Sequence, residues 1–208
     1  MDLKKKEILL IQEKNAIEFI NSGKFIEAEK ALRSLILLNN KSSYHNDLAN
    51  VLKEQGKFSE AIFFYKKALE INPNNLEVYL NYGTTLKSLN ELDKGLQLIK
   101  RAISLNPSKS IKLVAFNNLG NIYRQKRDSF NAFENYKKAL KIDSKYLLTL
   151  YNIGLLYEDL GDYDSALRFH REIINSDKNF SYSLGKIIAL ERYVCDWSNF
   201  DKIKNYDK

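Results

Sequence analysis

Two prolines, the only two in 208 residues, stand 34 positions apart and close nearly the same phrase, ALEINP ending at Pro73 and AISLNP ending at Pro107. Such a spacing points to an internal repeat, and no other feature restricts the fold as much. Aligned on it, the chain gives five units near residues 9–41, 42–75, 76–112, 113–146 and 147–180, with three extra residues in NPSKSIK before the fourth. The small residues then fall in phase. Ala16, Ala49, Gly83, Gly120 and Gly154 take the eighth position, and Ala28, Ala61, Gly95, Ala132 and Ala166 the twentieth. Gly23, Gly56 and Gly161 take the fifteenth. Large residues such as Leu48, Leu52 and Tyr65, or Leu119, Tyr123 and Tyr136, recur at helical spacing on one face.

This pattern predicts, per unit, two helices of about 14 residues, roughly 21 Å each, joined by a turn that Gly or Asn tolerates best. The small residues at positions eight and twenty are expected to face each other and let the two backbones approach. Proline after the second helix stops it, because it cannot continue the hydrogen-bonded ladder. One such hairpin cannot bury its apolar face alone, so the units must stack as a solenoid. The expected fold class is all-α.

The units resemble the tetratricopeptide repeat (TPR) family over roughly residues 9–180. The stretches YHNDLANVLKEQGKFSEAIFFYKKALEINP and LYNIGLLYEDLGDYDSALRFH carry the likeness. The family's fourth-position tryptophan is replaced by Gln12, His45, Tyr79, Phe116 and Leu150. The fifth unit has His170 where an aromatic residue is usual and Lys178 where proline is usual. The resemblance implies a right-handed superhelix of about five repeats across residues 1–180, with first helices lining a concave, protein-binding side.

On that side the sixth position reads Lys14, Asp47, Asn81, Asn118 and Asn152, and the ninth adds Asn50, Thr84 and Asn121, then Leu155. The twelfth adds Lys53, Lys87 and Arg124, then Glu158. An asparagine amide offers two donors and an acceptor, so it can bond both the C=O and the N–H of an extended peptide without reading its side chains. The expected site is therefore a peptide-binding ladder of Asp47, Asn50, Lys53, Asn81, Lys87, Asn118, Asn121, Arg124 and Asn152, biased by its cations towards acidic segments. The C-terminal carboxylate clamp of the family's co-chaperones is not expected, since Asn46, Val114 and Asn118 stand where its cations belong.

The surplus of 33 Lys and Arg over 26 Asp and Glu concentrates on the second helices, at Arg33, Lys66, Lys67, Lys100, Arg101, Lys137, Lys138 and Arg171. No aromatic residues interleave with this stripe as a base-stacking surface requires, so neither nucleic acid nor membrane is expected as a partner. No apolar run reaches membrane-spanning length, and the apolar stretch after the lysines of MDLKKKEILLIQEK is too short for a secretory signal. A lone cysteine, Cys195, permits no internal disulfide, which suits a reducing cytoplasm. His45 and His170 lie in different units at seam positions, and no phosphate loop, nucleophile elbow or metal-ligand spacing occurs. No cofactor, metal or catalysis is expected of these residues.

Residues 181–208 break the pattern. SYSLGKIIALERYV reads as one more first helix, but Ile188 takes its eighth position. CDWSNFDKI follows, where Asp196 or Ser198 would cap a new helix near Asn199. The segment is expected to be a partial sixth repeat, a cap or a junction. A sixth first helix running into VCDWSNFDKI is similar to the junction of O-linked N-acetylglucosamine transferases, where the repeats give way to a glycosyltransferase region. Those enzymes also carry an asparagine ladder, matched here by Asn81, Asn118 and Asn152. The resemblance implies the substrate-recognition repeats of such a protein, cut short or encoded separately from the catalytic region. The alternative is a stand-alone adaptor that assembles a protein complex.

Overall fold

A computed structural model of the protein describes residues 3–193. These residues form α1 (Leu3–Asn21), α2 (Phe25–Leu38), α3 (Ser42–Glu54), α4 (Phe58–Ile71), α5 (Leu76–Ser88), α6 (Leu92–Ser104), α7 (Lys109–Gln125), α8 (Ser129–Ile142), α9 (Leu147–Asp159), α10 (Tyr163–Ser176) and α11 (Ser181–Tyr193). The capping helix expected near Asn199 and the junction-like VCDWSNFDKI fall at or beyond Val194, outside the described residues. The chain divides into two compact units, Met1–Ser108 and Lys109–Lys208. The division lies within NPSKSIK, where the repeat period is lengthened.

In unit 1 three hairpins, α1–α2, α3–α4 and α5–α6, pack in sequence. Leu32, Leu35, Leu48, Leu52 and Tyr65 form the heart of its core. Burying each such aliphatic side chain contributes about 1.5–3 kcal/mol. Unit 2 repeats the arrangement with α7–α8 and α9–α10, and α11 lies against α10. Ile187 and Leu190 of α11 pack on Ala166 and Leu167, and Arg171 ties α10 to Glu191 of α11 at 2.6 Å.

One turn joins all five hairpins. At the fifteenth position Gly23, Gly56, Asn90, Arg127 and Gly161 adopt positive φ, between 61° and 77°. The following residue donates five positions back in each case, as from Lys57 N–H to the Leu52 carbonyl at 2.9 Å and from Asp128 to Tyr123 at 3.0 Å. This left-handed closure satisfies carbonyls that the ending helix leaves without partners. Asp128 and Asp162 then cap α8 and α10 by accepting the N–H groups of Asn131 and Ser165.

The eighth-position glycines make room for a further neighbour besides the one expected. At Gly83 an added Cβ would stand 3.2 Å from the carbonyl of Gly95, the twentieth-position neighbour, and 2.7 Å from Ile99. At Gly120 it would meet the Tyr136 ring at 2.3 Å, and at Gly154 the His170 ring at 2.8 Å. The missing methyl group therefore accommodates the twenty-fourth side chain, which is buried in every repeat.

Candidate functional site

Positions six, nine and twelve of a first helix are three residues apart and share one face. In unit 1 they place Asp47, Asn50 and Lys53 on α3, and Asn81, Thr84 and Lys87 on α5. In unit 2 they place Asn118, Asn121 and Arg124 on α7, and Asn152, Leu155 and Glu158 on α9. The side chains differ in how much of their bonding capacity the protein itself uses.

The sixth-position asparagines tie neighbouring repeats together. Asn81 donates its amide N–H to Asn46 Oδ1 at 3.1 Å, and Asn152 does the same to Asn117 Oδ1 at 2.9 Å. Each bond contributes about 0.5–1.5 kcal/mol. In both units the acceptor is a buried fifth-position asparagine, 2% exposed at Asn46 and 6% at Asn117. Asn117 Oδ1 also accepts the Thr149 hydroxyl at 3.0 Å. Each rung keeps its own carbonyl oxygen and one N–H for a partner. Asn118 makes no side-chain hydrogen bond among the described residues.

The ninth-position asparagines point their carbonyls the other way, into the hairpin. Asn50 Oδ1 accepts the Tyr65 hydroxyl at 2.6 Å, and Asn121 Oδ1 accepts that of Tyr136 at 2.7 Å. Burial pushes both tyrosines up, Tyr65 to about 12, so each stays a donor at neutral pH. The Asn50 and Asn121 amides thereby face outward with donors alone.

Asp47 departs from the asparagine row at position six, as does Lys14 of the first repeat. Burial and the nearby Glu77 carboxylate push the Asp47 carboxyl up to about 6, against one amide bond from Asn46. The twelfth-position cations differ between units. Arg124 is held by Asp159 of the next repeat at 3.0 Å, whereas Lys53 pairs with its chain neighbour Glu54 at 2.9 Å. Lys53, Glu54, Phe58, Thr84, Lys87 and Ser88 line a pocket of about 350 Å³ in unit 1.

Sequence reasoning missed Asn46 and Asn117 as partners of the rungs. A signal exists, because each stands 35 residues before the asparagine it binds. The fifth position is otherwise irregular, with Glu13, Leu80 and Tyr151, so it does not present itself as a row.

Aromatic rings do accompany the basic stripe, contrary to the sequence reading. Lys67 lies over Phe63, Arg33 over Phe64, Lys138 over Phe116 and Lys137 over Phe133, at 5.1–5.8 Å. Phe63–Lys67 and Phe133–Lys137 are four residues apart, a spacing that helical rotation brings onto one surface. Several of these cations also meet carboxylates, Arg33 with Glu29 and Glu60, Lys67 with Glu70, and Lys137 with Glu134. The two histidines serve packing. His45 stacks on Phe64, and fully buried His170 meets Tyr151 edge-on and Glu158 Oε1 at 3.1 Å.

Models of the tetratricopeptide repeat match residues 42–75, 64–97 and 111–179, together more than half of the chain. The chain belongs to the tetratricopeptide repeat family. As a tetratricopeptide repeat chain it is a protein-binding scaffold. Over 112 residues it is 28% identical to the probable UDP-N-acetylglucosamine–peptide N-acetylglucosaminyltransferase SPINDLY of Arabidopsis thaliana, covering 54% of this chain and 12% of that protein. Over 111 residues it is 32% identical to the BBSome complex member BBS4 of Bos taurus, covering 53% of this chain and 21% of that one. The matched part of this chain thus spans less than a quarter of either relative's length. The solved structure of PilF from Pseudomonas aeruginosa is similar with a TM-score of 0.76 at 20% identity, covering 98% of this chain and 90% of that one. That likeness is one of fold.

Proposed function

We propose that this scaffold is the peptide-recognition portion of a protein resembling the peptide N-acetylglucosaminyltransferases, gripping extended segments by their backbone. The observation that carries the reading is the recurrence, in both units, of asparagines whose amides are already fixed by internal bonds. Asn81 and Asn152 retain a carbonyl and an N–H, while Asn50 and Asn121 turn donors outward. An extended chain presents the complementary N–H and C=O groups whatever its side chains. With first helices of one unit about 10 Å apart and about 3.3 Å of rise per residue, a rung meets roughly every third peptide residue. The 28% identity to SPINDLY supports the association with glycosyl transfer. On this reading the chain contributes recognition and leaves the chemistry to another domain or polypeptide.

The test is the combined Asn81→Ala, Asn118→Ala and Asn152→Ala variant against a fluorescent 12-residue Ser/Thr/Gly peptide. Affinity is expected to fall at least tenfold with helicity preserved by circular dichroism, and unchanged affinity removes the ladder from the account. A second reading, a stand-alone adaptor, draws on the similarity to the BBSome member. It predicts instead that a folded partner is retained equally by the parent chain and the triple variant.

A further inference from the structure

Asparagine stands at the ninth position only in the two hairpins that have tyrosine at the twenty-fourth. The five pairs read Ile17 and Leu32, Asn50 and Tyr65, Thr84 and Ile99, Asn121 and Tyr136, and Leu155 and His170. Both tyrosines are fully buried, and a buried hydroxyl needs a partner. The Tyr65 hydroxyl lies 2.6 Å from Asn50 Oδ1, and that of Tyr136 2.7 Å from Asn121 Oδ1. These are lengths of an O–H···O bond, whereas an N–H···O bond centres on about 2.9–3.0 Å. The amide oxygen is therefore the end turned towards each ring, and the hydrogen comes from tyrosine. Burial pushes both phenols up, so that hydrogen stays in place. The N–H groups of Asn50 and Asn121 make no hydrogen bond among the described residues, and both residues are half-buried. The sixth position is set differently: Asn81 and Asn152 use one N–H on their neighbours and keep a carbonyl.

We propose that the Tyr65 and Tyr136 hydroxyls are positioning groups, which hold the ninth-position amides with their donors outward so that Asn50 and Asn121 bond only carbonyl oxygens of the bound segment. The proposal rests on the peptide-binding reading above and adds to it a polarity, row by row. A sixth-position rung can bond either an N–H or a C=O of the ligand, but a ninth-position rung held in this way can bond only a C=O. Serving the tyrosine alone requires nothing more than an acceptor, which a carboxylate or a hydroxyl supplies as well. The amide gives the acceptor inward and leaves donors outward. Without the tyrosine hydroxyl the amide can turn over, since its two ends are nearly equal in shape, and the rung then reads either group. An amide fixed before the ligand arrives loses no orientational freedom on binding.

The experiment uses the full chain, the 12-residue Ser/Thr/Gly peptide and copies of it in which one amide at a time is reversed, so that an N–H replaces a C=O at one place. At a register facing the ninth position the parent chain should bind the reversed copy about tenfold more weakly, because donor then meets donor. The combined Tyr65→Phe and Tyr136→Phe variant keeps both rings. It should bind the unmodified peptide about two- to fourfold more weakly, since the freed amides must be oriented, yet cut that register's penalty to about twofold. Registers read by the sixth position should keep theirs. The combined Asn50→Asp and Asn121→Asp variant still accepts the tyrosine hydrogens but has no donor at pH 8. Its affinity for the unmodified peptide should fall about tenfold, with helicity preserved by circular dichroism. Penalties identical in the parent and the tyrosine variant at every register would overturn the positioning role, because lost packing alone weakens all peptides alike. Unchanged affinity of the aspartate variant would overturn the ninth-position contact. If the Asn81, Asn118 and Asn152 variant still weakened binding, the sixth-position grip would stand without it. Failure of every peptide to bind the parent chain would overturn both.

Discussion

A methyl group at Gly120 would stand 2.3 Å from the ring of Tyr136, whose hydroxyl is anchored on Asn121. Tyr65 coexists with Ala49 at the equivalent place, so a hairpin can spread enough to accept the extra carbon. Gly120→Ala is therefore expected to destabilise by about 1 kcal/mol in urea unfolding, the overpacking cost exceeding the gain in helix propensity. A stabilised variant would contradict the packing. The sequence marks this glycine by its phase but not the side chain it faces, because periodicity orders residues along a helix and says nothing of reach across the seam. The same limit hid the bonds of Asn81 and Asn152: their row is legible, while their partners sit in a row that is not. Asp47 breaks the sixth-position pattern at a measurable cost. Its carboxyl titrates at about 6 when folded, above its ordinary 3.8. Between those values the folded state holds the extra proton, so stability falls as pH rises and the loss is complete above pH 6. Asp47→Asn should raise the melting temperature at pH 7.5, by at most about 3 kcal/mol in free energy, with no gain below pH 4. A gain that persists at pH 3.5 would rule out the titration.

At the scale of elements, the turns were readable where glycine marks them and at Asn90, and unreadable at Arg127, which adopts a φ of 61° with a full side chain. The left-handed conformation costs an L-residue about 1–2 kcal/mol, and glycine recovers part of that against its greater freedom when unfolded. Arg127→Gly should stabilise by about 0.5–1 kcal/mol, and a lower melting temperature would show that Arg127 makes a compensating contact. An ionic cluster around Glu29 reinforces the apolar junction of α2 with α3 and α4. Burial raises the Glu29 carboxyl, but hydrogen bonds from Lys57, Arg33 and Gln55 outweigh it and lower it from 4.5 to about 2. The stabilisation is present above pH 4.5 and is lost as pH falls towards 2. Glu29→Gln should cost stability at pH 7, on the order of 2 kcal/mol, with most of the difference from the parent chain gone at pH 2. Equal stability of the two at pH 7 would mean that the network contributes nothing. Such a junction escapes sequence inspection, since its members are separated by as many as 28 residues and each looks like an ordinary surface charge.

Across the whole molecule the fold was legible because one hairpin is written five times, and agreement among repeats averages out the irregularities of any one. The site was legible only as rows of positions. Lys53 and Arg124 look alike in sequence, yet Arg124 is held by Asp159 of the next repeat, whereas Lys53 pairs within its own helix with Glu54. That distinction depends on residues of the adjacent repeat and not on the cations themselves. The central claim is that the first-helix amides hold the backbone of an extended segment. The most direct measurement is the affinity of one bound peptide before and after N-methylation of its backbone amides in turn, with its side chains unchanged. Carbonyls such as those of Asn81 and Asn152 need a peptide N–H to accept, so methylation at about every third residue should weaken binding at least tenfold. Binding that is indifferent to N-methylation at every position would contradict the account.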